Sequence, residues 1–124
     1  MSKLILLAIG GTAGTMARYL LAGAVHGFAG ASFPYGTLVV NLLGCFIVGF
    51  LAAISENKFV LSPNLRLLLM IGFCGAFTTF STFILETSNL IREGETFRAL
   101  ANVIISVIVG FVVFRIGMLI GDIL

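Results

Sequence analysis

Nine consecutive residues, GAFTTFSTF from Gly75 to Phe83, place three phenylalanines, three threonines and a serine inside a long apolar run. Hydroxyls at such a position need a partner or a cavity, because an unpaired polar group in hydrocarbon is costly. Upstream, Thr37, Asn41 and Gly44 recur at i, i+4 and i+7 and share one helix face, on which the Asn41 amide offers two N–H donors. Phe73, Phe77, Phe80 and Phe83 follow at intervals of 4, 3 and 3 residues and read as one aromatic stripe. The rim of a phenyl ring carries partial positive charge. Rims set beside the Asn41 donors and the hydroxyls would make a site for a small anion without a fixed positive charge, so that the ion can leave again. The same residues also have a plainer reading: an interhelical hydrogen bond at Asn41 and ordinary packing by the rings.

Other polar residues recur on helical spacings. Thr82, Glu86 and Asn89 lie at intervals of 4 and 3 residues, with Thr82 about 200° around the helix from Phe80. Serine and threonine compete for backbone hydrogen bonds, and glycine weakens a helix. The third helix is therefore expected to break between Gly75 and Thr79, where freed carbonyls can bind a cation. Asn102, Ser106 and Gly110 form a second narrow polar and small stripe, and Gly10 with Gly14 forms a GxxxG pair expected to seat a neighbouring helix closely. Arg18, one turn beyond Gly14, either reaches the interface or binds a carboxylate or carbonyl, a structural role. Glu86 is the acid set well inside an apolar run, and reads equally as an ion or proton carrier or as a residue near water. The single His26 has no nucleophile or acid partner in register, and no phosphate loop or metal-ligand cluster occurs, which argues against an enzyme. Cys45 and Cys74 have neither CxxC nor metal spacing and read as small buried hydrophobes without a disulfide.

The elements that must position these residues are membrane spans. Of 124 residues, 60% are hydrophobic and 10% charged, and the mean hydropathy is +1.20. Water-soluble domains carry about 25% charged residues, so this chain has too little polar surface to coat a soluble globule. The net charge of +2, without a basic tract, gives no basis for nucleic-acid binding. A bilayer core needs roughly 20 helical residues. Four segments qualify, at about 4–25, 34–54, 63–91 and 99–120, giving one all-α transmembrane domain over 1–124. The N-terminal MSKLILLAIGG has the form of a short leader, but its apolar character runs on, so it reads as the first span. With four spans, Lys3, Lys58, Arg66 and Arg115 fall on one side, and Arg92 and Arg98 on the other, with Arg18 near that end. Lys/Arg asymmetry sets orientation. So balanced a chain either inserts both ways up, as an antiparallel pair of copies, or has one orientation fixed by other signals.

The runs GGTAGTMARY, GTLVVNLLGCFIVG and GFCGAFTTFSTF resemble the signature segments of the Fluc (CrcB) fluoride channel family over essentially the whole chain. The resemblance implies an antiparallel, dual-topology homodimer in the bacterial inner membrane. It further implies passive, fluoride-selective export through two pores at the dimer interface, protecting the cell from fluoride. By the same resemblance, Phe80 and Phe83 turn ring edges to the ion and Asn41 donates to it. Thr37, Ser81, Thr82 and Ser106 fall along a polar track, and Arg18 lies near the aqueous vestibule. Gly75 and Thr78 match a helix break whose carbonyls, from both subunits, hold a structural sodium ion. Asn102 stands where that family often has tyrosine. The rival reading, a small dual-topology multidrug or cation transporter, needs an acid in the first helix, where this chain has only Arg18 as a charge within the span.

Overall fold

The structure, a computed structural model, describes residues 2–57 and 60–124. Lys58, expected on one side of the charge balance, lies outside them. Among the described residues, four helical crossings are long and apolar enough to span a membrane. The first, α1, runs Lys3–Ala29, and the second, α2, runs Tyr35–Asn57. The third crossing occupies Pro63–Arg92 and is composite. It opens with α3, Pro63–Arg66, widens into a π-helix over Leu67–Cys74, and returns to α-helix in α4, Gly75–Phe77. It then resumes as α5, Phe80–Arg92, and α6, Thr96–Ile123, completes the set.

The helix ends follow local chemistry. Ser2 caps α1 by accepting from the Leu4 N–H, and Ser62 caps α3 ahead of Pro63, whose missing N–H costs nothing at a first helical position. Gly30 and Gly94 take positive φ, 87° and 80°, where α1 and α5 stop, a conformation glycine adopts without strain.

Packing divides the molecule into two pairs of helices, α2 along α6 and α1 along the first limb of the third crossing. Both use glycine. A Cβ built on Gly14 would lie 2.2 Å from the Phe73 carbonyl oxygen, and one on Gly10 would lie 2.4 Å from that of Leu68. The close seating expected of this GxxxG pair is therefore present, backbone against backbone. Gly117 of α6 meets the Phe46 carbonyl of α2 in the same way. The outward faces of α1 and α6 expose Leu4, Ile9, Leu20, Ile104, Ile108 and Phe111, as lipid-facing helices do.

Candidate functional site

Thr78 (φ −89°, ψ 156°) and Thr79 (φ −148°, ψ 115°) have extended backbone between α4 and α5. Gly75, the other end of the expected break, is helical at φ −61°, ψ −35°. In a continuous helix the Thr79 N–H would bond the carbonyl of Gly75, four residues back. Here it donates to Asn41 Oδ1 at 2.8 Å, while Asn41 Nδ2 donates to the Thr79 carbonyl at 3.1 Å. The Asn41 amide thus pairs with one residue as a neighbouring strand would. The carbonyl of Ala76 receives Arg18 Nε at 3.0 Å, which identifies the Arg18 partner as a carbonyl. Thr79 Oγ1 caps α5, accepting from the Thr82 N–H at 3.3 Å. The Thr78 hydroxyl turns back to the Cys74 carbonyl at 3.0 Å. None of the described residues donates to the carbonyls of Gly75, Phe77 or Thr78.

Two grooves meet at Thr79. The first, of about 340 Å³, is lined by Asn41, Gly44, Cys45, Thr78, Thr79, Phe80, Phe83 and Ser106, with apolar residues of α6 opposite. The second, of about 300 Å³, lies between α1, α2 and α5 and holds Arg18, Tyr19, His26, Thr37, Thr79, Thr82 and Glu86. A smaller recess of about 170 Å³ continues it past His26 and Glu86 to Asn89 and Glu93. Glu86 keeps one carboxylate oxygen buried without a hydrogen-bond partner among the described residues. Along α2 the grooves lie in series, Thr37 and Val40 facing the second and Asn41 to Val48 the first.

The structure therefore brings Asn41, Phe80, Phe83 and Ser106 together. Thr37, Thr82 and Arg18 join the second groove, and Ser81 is exposed and borders neither. The four phenylalanines do not make one stripe. Phe73 stacks on Phe77 with centroids 5.5 Å apart, and Phe80 meets Phe83 at 5.7 Å with rings tilted 54°. Two extended residues between the pairs reset the helical periodicity, so Phe77 is buried and Phe80 is 74% exposed. Sequence spacing missed Thr79 as the residue tying α2 to this site. Its signal was a threonine, one of the residue types preferred at an N-cap, at the end of the expected break. Spacing also missed the link between Asn102 Nδ2 and Thr87 Oγ1, 3.0 Å long and buried between α5 and α6.

Residues 5–118 match the family described as CrcB-like protein, Camphor Resistance (CrcB). Proteins bearing the name Fluoride-specific ion channel FluC are similar over most of the chain. The one from Desulforapulum autotrophicum is 44% identical over 119 residues, 96% of this chain and 95% of that protein. The one from Geobacter sulfurreducens is 48% identical over 107 residues, 86% of each. That from Dehalococcoides mccartyi is 42% identical over 124 residues, all of this chain and 95% of its own.

Proposed function

Because the chain belongs to the CrcB family, we propose that it is a fluoride-selective channel, letting the ion leave the cytoplasm passively across a bacterial inner membrane. It is a channel and not an enzyme. The observation that carries this reading is the meeting of Asn41, Phe80, Phe83 and Ser106 in one groove. Fluoride is small and holds water tightly, so a path for it must offset dehydration with short contacts to positive groups. One hydrogen of Asn41 Nδ2 is committed to the Thr79 carbonyl, and that bond fixes the amide so that the other remains available to an anion. Two phenyl rims and the Ser106 hydroxyl add partial charges without a full one, which favours entry and still permits exit.

The homodimer belongs to the same proposal. The first groove is open on one side, where Phe80 and Val107 are exposed. Against lipid, the second hydrogen of Asn41 Nδ2 and the loosely held Ser106 hydroxyl would face hydrocarbon without a good partner. A second copy, inserted the other way up, covers them and gives two paths per dimer. The near balance of Lys3, Lys58, Arg66 and Arg115 against Arg18, Arg92 and Arg98 in the sequence supports insertion in both orientations. The carbonyls of Gly75 and Thr78, without donors from the described residues, fit a sodium ion held at the centre of such a dimer. Bound there, sodium would supply positive charge to carbonyls of the α4–α5 junction that Arg18 does not reach, fixing the two extended residues of each subunit.

The test is efflux from liposomes containing the purified protein, followed with a fluoride electrode and repeated with chloride. Fluoride release with chloride retained is the expected result. No fluoride release, or equal release of both, overturns the reading. Replacing sodium on both sides with a bulky organic cation should slow fluoride release, and an unchanged rate removes sodium from the proposal.

A further inference from the structure

Asn102 is buried between α5 and α6, with 2% of its surface exposed, and it touches the groove only through another residue. Its hydrogen bonds have one possible sense. The Thr87 hydroxyl spends its single proton on the Phe83 carbonyl, at 2.7 Å. Thr87 can then only accept, so the Asn102 amide presents its NH2 group to Thr87, at 3.0 Å. The Asn102 oxygen is thereby turned to Ser106, whose hydroxyl must donate to it. The chain runs from Ser106 through Asn102 and Thr87 to Phe83, and both ends line the first groove.

The links differ in strength. Two are of ordinary length, but Ser106 Oγ lies 3.5 Å from Asn102 Oδ1, well beyond the range of a good hydroxyl bond. A proton held that loosely can turn to another acceptor at small cost. We propose that Asn102 is a positioning residue of the ion path: it holds the Ser106 proton beside the groove, releases it to a passing fluoride, and takes it back when the ion moves on. This rests on the channel reading above. Without Asn102, the Ser106 hydroxyl falls back on a carbonyl of its own helix one turn earlier, the usual resort of a serine within a helix, and the groove loses a donor.

The test compares fluoride efflux for wild type, Asn102→Val, Ser106→Ala, the double variant and Thr87→Val, each checked for its oligomeric state by gel filtration in detergent. Losing one hydrogen bond to an ion should slow efflux about tenfold in each single variant at 102 and 106, with the double variant no slower than the slower single. Thr87→Val removes the acceptor that sets the sense of the Asn102 amide but leaves an amide that can still turn its oxygen to Ser106, so its loss should be smaller than that of Asn102→Val. A double variant slowed by about the product of the two single losses, roughly a hundredfold, overturns the proposal, because Asn102 then acts independently of Ser106. An Asn102→Val channel as fast as wild type, or a Thr87→Val loss larger than that of Asn102→Val, overturns it too. Should Asn102→Val fail to assemble, Asn102→Ser, which ends short of both partners, takes its place in the same comparison. A wild type that moves no fluoride defeats the channel reading itself and this proposal with it. A conducting wild type with the wrong pattern among the variants defeats this proposal alone.

Discussion

The two limbs of the third crossing are held by different physics. From Leu67 to Phe77 the backbone lies directly on the glycines of α1, and its fit depends on the absence of side chains. From Thr78 onward the holding groups are polar: Asn41 on Thr79, Thr79 on Thr82, and Asn102 on Thr87. In a bilayer neither limb gains from hydrophobic burial, since lipid tails are as apolar as leucine, so close packing and hydrogen bonds must supply the cohesion. A glycine seat tolerates no added volume and offers nothing to an ion. A polar tie tolerates modest changes of shape but fails when a partner is removed, and the same groups can serve an anion. The division explains why the groove lies beside the second limb.

Substitutions can set these limbs against each other. The largest effect is expected from Gly14→Val, whose branched side chain would displace the Phe73 backbone outright. Overpacking of this kind costs about 1–3 kcal/mol or more, and little assembled protein should survive size-exclusion chromatography. Asn41→Ala should leave assembly largely intact, yet it strips both partners from Thr79. At about 1–3 kcal/mol for each group left unpaired, fluoride efflux from liposomes should fall at least about tenfold. Efflux like that of wild type would show that the polar limb is scaffold only. Arg18→Leu removes one bond to the Ala76 carbonyl at a half-buried site, and should lower thermal stability by about 1 kcal/mol with a smaller loss of efflux. The smallest effect belongs to Gly11→Ala. A Cβ there meets nothing within 4 Å, so the change should be neutral or stabilise the helix by up to about 1 kcal/mol in a thermal melt. A Gly11→Ala variant as poorly assembled as Gly14→Val would mean that the seat is not what distinguishes these glycines.

Much of this was legible in the sequence because a membrane chain advertises its exceptions. The four crossings stand out as long apolar runs, and Asn41, Ser106 and the Gly75–Phe83 cluster stand out against them. Gly10 and Gly14 announced a close contact and made one. Spacing could not say which ring faces where, because helical periodicity holds only while the helix continues, and Thr78 and Thr79 leave it. Phe77 and Phe80, expected on one face, consequently have opposite environments. Nor could spacing find the π-helix over Leu67–Cys74, whose backbone lies against the glycine face of α1. Asn102 and Thr87 are fifteen positions apart on different helices, and only the packed structure makes them partners.

Thr79 borders both grooves, so at that point one residue faces both. A residue with a face on each side cannot insulate one groove from the other. Charge placed in the basin of Arg18 and Glu86 is felt through one peptide unit by whatever occupies the chamber beneath Phe80, and a probe installed on either side will report on the other.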